Sequence, residues 1–229
     1  MQRTLCRQTA TDVSRIGAGR DECYKHRVNF FGHAVVASWQ SPAPGVVLGA
    51  MLPDFATMIR ARLDEPTDAD VAAGIDHHHA TDARFHGLPV VLGLMRELGE
   101  RLERLGCARG PRRAVAHIGV ELLLDGVLVG DASNRAVYAG ALAHEASGVR
   151  WRDDEGDARF AGLLARLRAY GAPADLERTH AITQRLQRML AHRPLLAPSA
   201  SDLAAIDRGL ADFKVRVEAA ADGVLRALR

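Results

Sequence analysis

The helical character of this chain is clearest at residues 111–130, which read PRRAVAHIGVELLLDGVLVG. Apolar side chains recur three and four positions apart in this stretch, and that spacing is typical of one buried helix face. No run of β-branched residues alternates with polar ones for long enough to indicate a strand. The sequence therefore predicts an all-α bundle of about nine helices without a sheet. The other segments with the same helical spacing are 28–39, 45–62, 68–85, 88–106, 133–147, 157–170, 173–192 and the stretch from Ser201 onwards.

The start of the chain differs from the rest. Residues 1–27 are polar and show no sustained helical period. We therefore expect them to be a loose extension that the fold does not need. Residues 28–229 are interpreted as a single helical domain, in which 28–130 carry the candidate site and 131–229 form a helical C-terminal part.

The composition excludes several classes of protein. The chain has 229 residues, of which 48% are hydrophobic and 25% charged, as in ordinary globular proteins. Thirty Lys and Arg residues against 28 Asp and Glu residues leave a net charge of +2, which argues against a nucleic-acid partner. No apolar stretch approaches the ~20 residues that a membrane-spanning helix needs. Three scattered cysteines favour a reducing, cytoplasmic location over a disulfide framework.

Three polar residues interrupt the apolar pattern of residues 111–130. His117, Glu121 and Asp125 are spaced four apart, so they share one stripe of the predicted helix. Burying unpaired carboxylates costs several kcal/mol or more, so such a stripe needs cations, polar partners or water. A divalent metal ion would satisfy it, and a solvated helix face is the alternative.

Further candidates lie on the preceding predicted helices. The consecutive histidines at 77–79 point about 100° apart and cannot share a face, but His78 shares one with Asp82 at i+4. His33 and Asp54 are each flanked by apolar residues, although the commoner role of a lone histidine is that of a core residue. Imidazole and carboxylate donors without thiolates favour Mn²⁺, Fe²⁺, Zn²⁺ or Mg²⁺. Helical bundles build metal centres by gathering such donors from several helices.

Four motifs follow one another in the first part of the chain. They are Asn29-Phe30-x-x-His33, Gly49-x-x-x-x-Asp54-Phe55, Gly74-Ile75-x-x-His78-x-x-x-Asp82 and the acid-rich helix with Asp125. In their order and spacing these motifs resemble those of the acyl carrier protein phosphodiesterase family, over residues 28–130. The resemblance implies a variant of the all-helical HD-domain metal phosphohydrolases, with His and Asp ligands and a preference for Mn²⁺. It also implies removal of the 4′-phosphopantetheine arm from holo acyl carrier protein.

The resemblance also assigns roles in metal-assisted hydrolysis of a phosphoester. Glu121 or His117 would orient the attacking water or protonate the leaving oxygen. Mn²⁺ is the ion that the resemblance favours, with Fe²⁺, Zn²⁺ or Mg²⁺ as alternatives. The residues that would hold one or two such ions are His33, Asp54, His78, Asp82 and Asp125.

The chain departs from the family pattern at several positions. Glu121 stands where the last motif of the family has its first aspartate, and Gly126-Val127 stand in place of His-Phe after Asp125. Residues 131–229 have no counterpart in the family pattern. Two other functions therefore stay open. One is a metal-dependent phosphohydrolase that acts on a small phosphoester or nucleotide, and the other is a non-catalytic helical protein that binds an ion or a partner.

Arginines near the candidate site could form a basic rim for an acidic acyl carrier protein. Arg60 and Arg62 follow the predicted helix that carries Asp54, and three more arginines at positions 109, 112 and 113 precede His117. The alternative is that these arginines are simply solvated. No membrane or nucleic-acid partner is expected.

Overall fold

The computed structural model of the chain describes residues 29–229. These residues form nine α-helices and one short 3₁₀ turn, and their only extended pairing is an isolated bridge between Leu63 and Trp151. The all-α prediction is therefore confirmed for the described part of the chain. The helices are α1 (Phe30–Gln40), α2 (Pro44–Ile59), α3 (Ala69–Gly87), α4 (Pro89–Arg104), α5 (Arg109–Val129), α6 (Ala132–Ala143), α7 (Gly156–Tyr170), α8 (Thr179–Leu190) and α9 (Ala200–Leu228).

Most predicted helices agree with the observed ones to within a few residues at each end. The exception is 173–192, because a 3₁₀ turn at Ala174–Glu177 precedes α8 instead of continuing into it. Arg178 between them has extended backbone angles, φ −107° and ψ 118°, so the helical hydrogen-bond pattern is interrupted there. The expectation for residues 1–27 lies outside the described residues. Within the described range, no helix is both long and apolar enough to cross a membrane.

Side-chain caps mark the starts of α3, α6 and α9. The Asp68 carboxylate accepts two backbone N–H bonds in the first turn of α3. At the start of α9, Ser199 and Asp202 form a capping box, in which each side chain accepts the backbone N–H of the other. Burial alone would raise the pKa of Asp202, but the N–H of Ala108 and the contacts with Ser199 lower it below its ordinary value.

Helix α5 contacts helices on several sides and belongs to two apolar clusters. One cluster packs α5 against α4, α8 and α9, with Val115 and Leu122 among the contributions from α5. The other gathers α1, α2, α6 and α7, and it includes Leu128 and Val129 from the C-terminal end of α5. Since apolar packing surrounds most of α5, the acidic residues of its polar stripe are buried.

Helices α2 and α3 pack with almost no space between their backbones. Their close approach is at Gly49 and Gly74, where a Cβ atom placed on Gly74 would lie 2.8 Å from the Cα atom of Gly49. A side chain at either position would therefore push the two helices apart. Asp54 on α2 and His78 on α3 lie four or five residues beyond these glycines. The tight crossing thus brings two candidate ligands together.

Candidate metal centre

His33, Asp54 and His78 form a buried cluster, although they belong to α1, α2 and α3. Each residue offers one ligand atom, and these atoms all lie within 4.8 Å of one another. The three residues are 8%, 3% and 4% exposed, respectively. The imidazole rings of His33 and His78 have centroids 3.9 Å apart. We call these three residues the first cluster.

A hydrogen bond to the backbone of α2 orients the His78 ring. Its Nδ1 atom lies 2.8 Å from the carbonyl oxygen of Ala50. Because a carbonyl oxygen only accepts, Nδ1 carries the proton of the neutral ring and Nε2 keeps a lone pair. Outer contacts of this kind prepare a histidine to bind a metal. Among the histidines at 77–79, His78 alone is buried, and this is the register that pairing with Asp82 selects.

Asp125 of α5 lies beside the first cluster. Gly32 on α1 leaves room for it, since a Cβ atom at Gly32 would be 2.5 Å from Asp125 Oδ1. Burial raises the pKa of Asp125 well above its ordinary value, and the charges of Glu121 and Asp54 raise it further. A divalent cation would offset the mutual repulsion of these carboxylates, and mixed His and carboxylate donors suit such an ion. The residues therefore fit a metal ion.

His86, His117 and Glu121 form a second group of possible ligands. Their ligand atoms also lie within 4.8 Å of one another. Glu121 Oε1 is 3.2 Å from Nε2 of His117 and 3.3 Å from Nε2 of His86. The two imidazole rings stack, with centroids 4.7 Å apart and planes inclined by 13°. We call these three residues the second cluster.

Glu121 is the buried member of the second cluster. Its side chain is 0% exposed, whereas those of His117 and His86 are 22% and 18% exposed. Burial would raise the pKa of Glu121, but contacts with His117 and His86 outweigh this effect and lower the pKa to about 2. The two histidines lie close to the carboxylate, but neither oxygen of Glu121 accepts a well-aligned hydrogen bond. Glu121 is therefore an anion at neutral pH.

Asp82 contacts a residue of the second cluster. It shares a face of α3 with His78, but four residues separate the two positions by about 6 Å along the helix axis. Its Oδ1 atom lies 3.3 Å from Nε2 of His86, which is one turn further along α3. The side chain of Asp82 is 19% exposed. The structure thus brings His33, Asp54 and His78 together and places Asp82 one turn away.

His86 takes part in the site although the motif pattern does not include it. A signal for it was nevertheless present in the sequence, because His78, Asp82 and His86 are spaced four apart on one face of α3. This is the same stripe pattern that His117, Glu121 and Asp125 form on α5. The two stripes, one on α3 and one on α5, contain four of the six residues of the two clusters. They also contain the acidic neighbours Asp82 and Asp125.

A cavity of about 40 Å³ lies against both clusters. His33 from the first cluster and Glu121 from the second line it, together with Asp125. A volume of this size has room for about one to three water molecules. Apolar side chains near the end of α9, Val224 and Leu228, form part of its wall. The C-terminal helix, which lies outside the region of family resemblance, therefore helps to enclose the site.

Three of the five candidate arginines line two separate hollows on the surface. Arg112 and Arg113 line a hollow that also contains His117, and Arg112 forms an ion pair with Glu103. Arg60 lines a different hollow between α2 and α8. Of these arginines, Arg112 and Arg113 are therefore the ones next to the second cluster.

The chain was compared with protein-family models, with curated proteins and with solved structures. None of the three comparisons finds a match.

Proposed function

We propose that the chain is a metal-dependent phosphodiester hydrolase. The first cluster carries this proposal: two imidazoles and a carboxylate from three helices are buried together, with Asp125 beside them. Such donors bind the borderline divalent ions that hydrolytic enzymes use. His33, Asp54 and His78 would hold the ion, with Asp125 as an additional oxygen donor. Mn²⁺ is the ion that we favour, with Fe²⁺, Zn²⁺ or Mg²⁺ as alternatives.

The protein supplies position and a confined environment for this chemistry. A bound ion supplies Lewis-acid activation of water and of the phosphate group. The hydrogen bond to Ala50 holds the His78 ring in place, so that Nε2 needs no reorientation to act as a ligand. The cavity has room for only a few water molecules, and α9 contributes an apolar part of its wall.

His117 and Glu121 are the acid–base candidates of the site. Glu121 lines the cavity and lies 3.2 Å from Nε2 of His117. Because Glu121 is fully buried and His117 is partly exposed, we assign proton transfer to the leaving oxygen to His117. Glu121 would orient the His117 ring and stabilise its charged form, as a carboxylate does beside a catalytic histidine.

The substrate that we favour is a phosphodiester on an acidic carrier protein, such as the phosphopantetheine arm of holo acyl carrier protein. Since the cavity has room for only about one to three water molecules, the body of a carrier-protein substrate would stay outside the fold. Arg112 and Arg113, in the hollow that contains His117, would attract an acidic partner and orient its approach.

Hydrolysis of a bis-aryl phosphodiester by chelator-treated protein, with and without added Mn²⁺, tests the activity. We expect Mn²⁺-dependent turnover that Asp54→Ala and His78→Ala each reduce by more than ~100-fold, beyond the usual effect of removing an outer contact. His79→Ala is the matched control, because His79 is the exposed neighbour of His78, and it should stay within a few-fold of wild type. Equal activity of His78→Ala and His79→Ala would contradict the assignment.

The mass of an acidic holo-carrier protein after incubation with the enzyme tests the substrate. Loss of the mass of the phosphopantetheine arm would support the carrier protein as the substrate. Hydrolysis of small diesters with no effect on holo-carriers would favour a small phosphoester or nucleotide instead. Metal binding without hydrolysis of any of these substrates would contradict the catalytic proposal and leave a non-catalytic ion-binding protein.

A further inference from the structure

We propose that the second cluster is itself a metal site, so that the folded protein binds two divalent transition-metal ions. Its ligands would be His86, His117 and Glu121. Binding at this site does not depend on whether the first cluster is catalytic. The ligand chemistry, the charge balance and the burial of Glu121 each support it.

The second cluster contains the donors of a three-ligand transition-metal site. His117 and Glu121 are four residues apart on α5, so they lie on one face and can chelate one ion. His86 comes from the last turn of α3 and completes a set of two imidazoles and one carboxylate. Zinc sites with this donor set keep a fourth position for solvent. The partial exposure of both histidines gives an ion a route from solvent.

The charges around His86 favour a divalent cation. Carboxylate oxygens of Asp82 and Glu121 both lie 3.3 Å from Nε2 of His86. Nε2 of His117 lies 3.2 Å from the same Glu121 oxygen, and the two imidazole rings are nearly parallel with centroids 4.7 Å apart. A single divalent ion where the Nε2 atoms of His86 and His117 converge would balance the charges of both carboxylates.

The burial of the Glu121 carboxylate also supports an ion at the second cluster. Neither of its oxygens accepts a hydrogen bond, although the side chain is completely buried. A buried polar group without an aligned partner is costly and calls for an explanation, of which an ion is one. When such an ion is bound, Glu121 and His117 are ligands, so their acid–base role belongs to the form of the protein in which only the first cluster is filled.

Counting bound zinc tests this inference directly. Chelator-treated protein is dialysed to equilibrium against Zn²⁺, and elemental analysis gives the number of ions per chain. We expect two ions for wild type, one for His86→Ala and one for His78→Ala. His192→Ala is the matched control, because His192 is exposed and lies outside both clusters, and it should retain two. Circular dichroism checks that each variant is folded, and His86→Gln replaces His86→Ala if the alanine variant is not.

The number of zinc ions that wild type and each variant bind shows which of the two clusters binds an ion. If wild type binds one zinc ion that His78→Ala loses and His86→Ala retains, the second site is overturned and the first cluster stands. If wild type binds one ion that only His86→Ala loses, the second site stands and the first cluster is overturned. Two ions in His86→Ala, or none in wild type, would also overturn the second site. Replacing zinc with Co²⁺ gives an independent readout, since the visible absorption of bound cobalt should lose one component in His86→Ala.

Discussion

Replacing Gly74 with alanine should loosen the crossing of α2 and α3 that holds the first cluster together. The added Cβ atom would overlap the backbone carbonyl oxygen of Val46, and it would lie 2.8 Å from the Cα atom of Gly49 and 2.8 Å from the backbone nitrogen of Ala50. All three are backbone atoms, which cannot rotate away from the new methyl group. To restore ordinary contacts of about 3.5–4.0 Å, the two helices must separate by at least about 1 Å. Because α2 carries Asp54 and α3 carries His78, moving the helices apart would also move these two candidate ligands apart.

The stability change follows from two opposing effects. Overpacking costs about 1–3 kcal/mol, and a clash with rigid backbone belongs at the upper end, about 3 kcal/mol. Alanine in place of glycine inside a helix contributes about 1 kcal/mol in the opposite direction. Gly74→Ala should therefore lower the free energy of unfolding by about 2 kcal/mol. Gly140→Ala in α6 is the matched control, because a Cβ atom there meets nothing within 4 Å. It should raise the free energy of unfolding by about 0.5–1 kcal/mol.

Two measurements on the same variants check this prediction. Urea unfolding of the chelator-treated proteins gives the stability change, and titration with Mn²⁺ gives the affinity. We expect Gly74→Ala to bind Mn²⁺ at least ~10-fold more weakly than wild type, since lost support of a ligand typically costs 10–100-fold. Gly140→Ala should bind Mn²⁺ as wild type does. A Gly74→Ala protein as stable as Gly140→Ala, with unchanged Mn²⁺ affinity, would refute the role of the crossing.

Three further predictions concern the metal-free protein and its response to pH and ions. Because burial and nearby charge raise the pKa of Asp125, folded metal-free protein holds a proton there that the unfolded chain has lost above about pH 4. Its stability should therefore fall as pH rises above that value, by up to ~1.4 kcal/mol per pH unit, until the folded pKa is passed. Asp125→Asn should remove this slope and be more stable than metal-free wild type at pH 7; urea unfolding that shows the same slope in both proteins would contradict this. Asp202→Ala removes part of the capping box and the bond to the Ala108 N–H, so it should cost about 1–2 kcal/mol at pH 7. Since the folded pKa of Asp202 is lowered, its contribution is present above about pH 4 and is lost as pH falls through the folded pKa, so the two proteins should converge in strong acid. Finally, Mn²⁺ at a hundred times its Kd should raise the free energy of unfolding by about 2.7 kcal/mol for each filled site. Calorimetry should show this increase and its reversal by chelator, and an unchanged melting temperature would argue against any metal site.

Helix periodicity was sufficient to predict most helices of this fold and the register of the polar residues on α3 and α5. Whether a residue faces the core depends on its neighbours three and four positions away, which the sequence contains. The choice of His78 among three consecutive histidines follows from this local rule, and His78 is indeed the buried one. The stripe with Glu121 and Asp125 follows from the same rule, and both residues are buried. The break near Arg178 was missed because a single extended residue leaves the apolar spacing on either side unchanged.

Only the tertiary structure decided which polar residues meet. Asp82 shares a helix face with His78, yet it contacts His86, because the cluster with His33 and Asp54 forms one turn away from it. The separation of α2 and α3 depends on two glycines, Gly49 and Gly74, whose close contact leaves no periodic signal in the sequence. The apolar wall that the end of α9 contributes to the cavity comes from residues about a hundred positions after the last motif. Periodicity is a property of neighbours along one helix, whereas a site shared by several helices depends on how closely their backbones approach, and that distance is set by packing across the whole fold.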